Sequence, residues 1–218
     1  MNDTTETTRP KLEADGNARL PGKREQTKAT NRGAILAAAR EVFAELGYGA
    51  TTVRDIIRNT GLASGTFYNY YKSKEEIFEA LMDDSSRRMR PRVRAARLAS
   101  NSFEEFVRNA LRAYFEFLIE DDGSYAVIRR NAGALRVRMV TPETIAGFEE
   151  IRSYIEEDIA AGRLHEVDGE YLTAAAIGVA TEIGERMILR EEADVEAAVE
   201  FATNLLFKGL PGLPAKNK

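Results

Sequence analysis

The 218 residues contain no cysteine and a single histidine. Without thiols the chain can form neither a disulfide framework nor a thiolate metal site, and a reducing cytoplasm suits it. A zinc site would have to be built mostly from carboxylates, an unusual set. The lone imidazole, His165, lies in the connection Arg163-Leu164-His165-Glu166, outside any triad or metal-ligand spacing, and reads as a solvated loop residue. No glycine-rich phosphate loop is present. No apolar run approaches the roughly 18 residues of a membrane span; the longest mild stretch, 171–181, is short and rich in alanine. Residues 1–22 lack the apolar core of a secretory signal and read as a disordered arm. Internal repeats, low-complexity blocks and strand-period segments are also missing. These absences leave an all-α protein of the cytoplasm as the expectation, with no enzymatic site, no metal, no cofactor and no membrane partner.

What is present begins with charge. The formal total of −4 speaks against a nucleic-acid partner until the signs are located along the chain. Residues 19–74 carry ten Lys and Arg against four acids, whereas residues 75–218 carry 19 basic against 27 acidic side chains. A basic head is followed by an acidic body, the distribution that a DNA-binding unit on a non-DNA body requires. A hydrophobic content of 44% is enough for the core of one or two domains.

Helical periodicity then divides the chain. Ile35, Ala39, Val42, Phe43 and Leu46 predict a first helix over about 24–46, stopped by Gly47-Tyr48-Gly49. Thr52 with Asp55 approaches a capping box for a second helix carrying Val53, Ile56 and Ile57, and Asn59-Thr60-Gly61 breaks it. A short third helix begins near Ser64, with Ser64 the nearest available cap. Phe43, Leu46, Ile56, Leu62, Phe67 and Tyr71 form the expected head core. Ser73 and Glu76 open a fourth helix, expected to bend or stop near Pro91, and Ser102 caps a fifth. A short helix over 124–132 and the 136–140 segment follow. Thr141-Pro142 places proline at the start of a helix carrying Ile145, Phe148, Ile151, Ile155 and Ile159, closed by Gly162. Two last helices cover about 169–190 and 194–208, and Pro211 and Pro214 make the tail a poor helix. The total is about nine helices.

Residues 52–74, TVRDIIRNTGLASGTFYNYYKSK, place two short helical patterns around a glycine turn and follow them with clustered aromatics and lysines. That is the pattern of a helix-turn-helix. Phe43, Gly47-Tyr48, Thr51-Thr52-Val53, Asp55-Ile56, Gly61-Leu62, Gly65-Thr66-Phe67-Tyr68 and Lys72-Ser73-Lys74-Glu75 resemble, in order and spacing, the N-terminal domain of TetR-family transcriptional regulators over about residues 28–80. The resemblance implies an all-helical homodimer with a three-helix DNA-binding head at 23–72. It also implies an effector-binding and dimerisation body at 73–208 and a flexible tail at 209–218. By the same resemblance, Ser64, Gly65 and Tyr68 match positions that approach bases, while Thr52, Tyr70 and Lys74 match positions at the phosphate backbone. Arg54 is a further base or phosphate candidate, and the small Gly65 and Thr66 let the helix backbone approach the groove floor. Lys23, Arg24 and Lys28 belong either to the flanking DNA or to a solvated arm. Tyr70-Tyr71 stands where the family often has His-Phe, and Ser64 where a lysine is frequent, so the operator sequence does not carry over.

The body says less. Phe103, Phe106, Tyr114, Phe117, Met139, Phe148 and Tyr154 could line an apolar cavity, with Arg130 and Asn131 as polar contacts to a ligand; the competing use of these aromatics is core filling. Arg129, Arg130, Asn131, Arg136 and Arg138 could capture a carboxylate or phosphate, or pair with nearby acidic helices. Glu182 and Glu185 either face a cationic effector or edge a dimer surface. The last two helices, rich in Ala and Gly on one side and Val, Ala and Leu on the other, suit a two-fold homodimer interface. The partners expected are therefore double-stranded operator DNA, a small and largely apolar effector, and a second copy of the chain. An architectural DNA-binding protein without effector is the alternative.

Overall fold

Local backbone signals set most of the element boundaries. The computed structural model describes residues 22–120 and 141–209 and is all-helical there, with eight helices and no strand among the described residues. The expected segments over 1–21, 124–132, 136–140 and 210–218 lie outside the described residues, as do Arg129, Arg130, Asn131, Arg136, Arg138 and Met139.

Helix α1 (Lys23–Leu46) stops where Gly47 takes φ +80°, a region that favours glycine. Lys23, Arg24 and Lys28 are thus helical and exposed rather than part of an arm. Helix α2 (Val53–Thr60) opens with a full capping box: the Asp55 amide donates to the Thr52 hydroxyl and the Thr52 amide donates to the Asp55 carboxylate at 2.9 Å. Left-handed Gly61, at φ +66°, ends it. Helix α3 (Ser64–Tyr68) starts behind Ala63, which makes no side-chain cap bond, so Ser64 is the first helical residue and not the cap.

Helix α4 (Lys74–Leu98) is capped by Ser73, whose hydroxyl accepts from the Glu76 amide at 3.2 Å. It neither stops nor is interrupted at Pro91. That proline is exposed, so water can reach the carbonyl it leaves without a donor, and the helix is held from both sides by neighbours. Helix α5 (Phe103–Glu120) follows Ser102, whose hydroxyl accepts from the Glu105 amide. Thr141 caps α6 (Pro142–Ala160), Asp168 caps α7 (Gly169–Ile188) and Asp194 caps α8 (Val195–Lys208).

Two apolar clusters form. In the head, Ile35, Val42, Phe43, Ile56, Phe67, Tyr71, Ile77 and Phe78 are buried. Leu46, expected there, is 40% exposed. Its place is filled by Tyr48, whose ring stacks on Phe43 at 5.7 Å and meets Phe78 at 4.9 Å. Leu62 packs at the edge of the cluster. In the body, α5 is the central helix, flanked by α4, α7 and α8. A Cβ on Gly184 of α7 would sit 2.7 Å from Leu118 Cδ1 and 3.2 Å from ring atoms of Phe115 and Tyr114, so a larger residue would force these side chains of α5 to shift. Of the apolar stripe on α6, Ile155 is buried and Ile151 and Ile159 pack partly, while Ile145 and Phe148 remain exposed.

Helix α4 belongs to both clusters. Its first half carries Ile77, Phe78 and Leu81 into the head, and its second half is tied to α6 by arginines. Arg90 reaches Glu143 at 3.1 Å and Glu150 at 3.2 Å, Arg94 pairs with Glu150, and Arg97 grips the buried Asp158 carboxylate at 3.0 and 2.6 Å. Arg40 of α1 pairs with Asp84 at the junction of head and body.

Candidate nucleic-acid interface and body cavity

Helix α3 has five residues, and one of them, Phe67, is fully buried. Phe67 fastens the helix to the head core, which turns Ser64, Gly65 and Tyr68 outward. Tyr68 is 50% exposed, its ring set edge-on to Phe67 at 5.7 Å, so it projects rather than packing on α1. Thr66 is half-buried beside them, and Gly65 has no neighbour within 4 Å of a hypothetical Cβ. The resulting face is small, hydroxylated and aromatic, with a hydroxyl, a bare backbone and a phenol within one turn. Such groups can reach base edges.

The flanks of this face are fixed by α1. Asn31 Nδ2 donates to the Tyr70 phenol oxygen at 3.2 Å, and Arg32 Nε donates to that of Tyr71 at 3.1 Å. In that bond the Tyr70 phenol is the acceptor, so its O–H is still a donor. Burial pushes the Tyr71 phenol up, against the opposing Arg32 charge, so it stays neutral. Asn31 and Arg32 carry no helix-turn-helix signature; their partners stand 39 residues away, and only the fold reveals them. Arg54 is exposed and makes no ion pair with the described residues.

Two residues expected at the phosphate backbone have partners within the protein. The Thr52 hydroxyl donates to the Asp55 carboxylate at 2.6 Å while accepting from the Asp55 amide, so capping occupies it. The Lys74 ammonium donates to the carbonyl oxygens of Tyr48 at 2.8 Å, Thr51 at 3.0 Å and Gly49 at 3.3 Å.

In the body, α4, α5, α6 and α7 border a partly open cavity of about 320 Å³. Its walls are mostly apolar: Met89, Val93, Phe106, Leu111, Phe117, Ile151 and Ile177 contribute, and Phe103, Tyr114 and Phe148 also line it. Burial, with the Glu185 carboxylate adding to it, pushes the Tyr114 phenol up to about 12, which keeps it a neutral hydrogen-bond donor. Glu182 and Glu185 border the cavity with Thr181. Tyr154 does not line it. Its ring meets Phe106 edge-on at 5.7 Å and its phenol donates to Glu150 at 2.7 Å, which turns it to a separate polar cleft with Arg94, Arg97 and Arg163. The guanidinium groups of Arg88 and Arg92 cover the Phe117 ring at 5.3 and 5.2 Å, so one cavity wall rests directly on α4.

No group of three or more His, Asp or Glu suited to a metal occurs among the described residues, and no helix among them is long and apolar enough to cross a membrane.

Comparison with known proteins agrees with this architecture. Residues 35–81 match the profile of bacterial regulatory proteins of the tetR family. The chain is 32% identical over 145 residues to the HTH-type transcriptional regulator YhgD of Bacillus subtilis, spanning 64% of this chain and 74% of that one. It is 30% identical over 100 residues to the HTH-type transcriptional activator FasR of Mycolicibacterium smegmatis, where the match spans 46% of each chain. Among solved structures, FadR of Bacillus subtilis in complex with stearoyl-CoA superposes with a TM-score of 0.71 over 82% of this chain and 98% of that one, at 24% identity, a likeness of fold.

Proposed function

The chain belongs to the tetR family of bacterial regulatory proteins and is a transcriptional regulator rather than an enzyme; from that premise we propose that it is a repressor that binds a palindromic operator as a homodimer and leaves it when a small, largely apolar effector enters the body. The observation that carries this reading is α3, pinned by Phe67 with Ser64, Gly65 and Tyr68 turned outward. Ser64, Gly65, Thr66 and Tyr68 approach bases, while Tyr70 and Arg54 hold the backbone. A two-fold pairing through α7 and α8 sets the two recognition helices in successive major grooves, roughly 34 to 36 Å apart. Its location is the cytoplasm, with the chromosome.

The effector enters the cavity beneath α4. Lined by Phe106, Phe117, Leu111 and Ile151, with Tyr114 as a partly buried donor, the cavity suits an apolar molecule bearing one polar group. The stearoyl-CoA bound by the similarly folded FadR makes a fatty acyl chain the first candidate class. A cavity of this kind also favours regulation over a purely architectural DNA role. The effector releases DNA to the extent that it binds the released arrangement better. Polarity follows operator placement, and one similar protein, FasR, is an activator.

Fluorescence anisotropy with the DNA upstream of the chain's own gene tests the proposal. The full chain should prefer an inverted repeat to random duplex, and palmitate, stearate or their coenzyme A esters should raise the dissociation constant while raising the melting temperature of the protein. Equal affinity for both duplexes would remove the operator role, and an unmoved melting transition with every acyl ligand would remove the acyl class.

A further inference from the structure

We propose that Lys74 is a positioning residue: its ammonium pins the 47–51 loop to the first turn of α4, and through that loop sets the angle at which α2 and α3 meet DNA. This rests on the DNA-reading role proposed for the head.

A lysine ammonium has three donors and no acceptor. Here each donor has a carbonyl, those of Tyr48 at 2.8 Å, Thr51 at 3.0 Å and Gly49 at 3.3 Å, and the nitrogen also lies 4.7 Å from the centre of the Tyr48 ring. The group that could answer a phosphate is spent inside the protein. The loop presents these carbonyls because it is wound tightly: the buried Thr51 donates to Gly47 O from its amide at 3.1 Å and its hydroxyl at 2.7 Å. Several carbonyl dipoles then converge on one point, and a cation there relieves their mutual repulsion.

The next residue of α4 takes part as well. The Tyr48 phenol donates to Glu75 Oε1 at 2.7 Å, so two consecutive residues of one helical turn hold the same loop. That loop ends at Thr52, the N-cap of α2. The far half of α4 borders the body cavity through Ser85, Ser86, Met89 and Arg90. A rotation of α4 started at the cavity is therefore delivered through the Lys74 and Glu75 contacts to the N-cap of α2.

The first test uses the unmodified full chain without DNA, treated with an amine-acetylating reagent and read by mass spectrometry. Lys74 should remain unmodified under conditions that acetylate Lys72, which is exposed two residues away. Acetylation of Lys74 as fast as Lys72, with protection appearing only when duplex is added, would overturn the proposal and make Lys74 a phosphate ligand. The second test takes Lys74→Met and a duplex selected from random sequence with the wild-type protein. Affinity for the selected duplex should fall roughly tenfold, affinity for random duplex should hold, and the slope of log affinity against log salt should stay unchanged. A slope reduced by about 0.9 per lost contact, with both duplexes weakened alike, would contradict the clamp. A merely structural lysine would lower the melting temperature without altering the ratio of the two affinities, and that result also counts against it. Failure of the wild-type protein to select any duplex would remove the DNA-reading role, while the acetylation result still decides the clamp.

Discussion

Phe67 and Tyr68 are adjacent rings with opposite surroundings, 0% and 50% exposed. Truncating Phe67 opens a void in the head, and Phe67→Ala should cost about 3 to 5 kcal/mol in urea unfolding. Tyr68→Ala should leave the urea midpoint almost unchanged and cost about 1 to 3 kcal/mol of discrimination between operator and random duplex in anisotropy. Undiminished discrimination would withdraw the assignment of α3 as the reader. Gly184 is the opposite kind of site, where any added group displaces its neighbours. Gly184→Ala puts a methyl against Leu118, Phe115 and Tyr114 and should destabilise the body by about 1 to 3 kcal/mol in the same measurement. At this scale the sequence was legible where a residue's partner lies a turn away. Thr52 with Asp55 and Ser73 with Glu76 are caps closed within three residues. It was opaque where direction depends on a distant carbonyl or ring. Lys74 points back to the 48–51 backbone, and Tyr154 is turned away from the cavity by Glu150 and Phe106, which no spacing rule encodes.

Between elements, the α4–α6 seam depends on carboxylates that must stay ionised. The Arg94 hydrogen bond, opposed by burial and joined by Tyr154 and Arg90, holds Glu150 down to about 2 from its usual 4.5. A depressed folded value means that the stabilisation is complete above about pH 4.5 and is lost as pH falls toward 2. Burial draws Asp158 upward, yet the hydrogen bonds from Arg97 and Arg163 outweigh it and keep that carboxyl below its usual value, in the same sense. Unfolding free energy measured by urea at a series of pH values should therefore decline across this acid window. Glu150→Gln should lower it near neutrality and flatten the decline; an unchanged acid slope would mean that the seam adds no pH-dependent stability. The sequence shows six arginines between residues 87 and 97 but not their partners, which stand 53 to 61 residues onward for Arg90, Arg94 and Arg97. Pro91 is misleading for a related reason: a local breaker signal yields to contacts on both sides of the helix.

For the whole molecule, the proposed pairing of two copies has a surface to use. Ala174, Ala175 and Gly178 of α7 are exposed, with Tyr171 at 75% exposure, and Gly178 has nothing within 4 Å of a hypothetical Cβ. Gly178→Arg should thus leave the subunit fold intact, while sedimentation velocity reports a monomer and operator affinity falls toward that of a single half-site. A dimer that survives the change would place the interface elsewhere. The all-α class and the basic head could be inferred from the chain alone because each is a sum over many residues. The aromatics of a cavity could be proposed from the chain, but not which of them face it, since it is space left between four helices distant in sequence. One feature of the assembly constrains how such a protein can change over time. Helix α4 is gripped at its start by the 47–51 loop and along its second half by α6, with 25 residues in continuous register. Inserting a single amino acid between those grips would turn the head by about 100° about the rod and shift it by about 1.5 Å. Gene fusions that splice a foreign head onto this body must therefore preserve the number of residues between the two grips, whereas an insertion in the exposed 189–193 connection leaves that register unchanged.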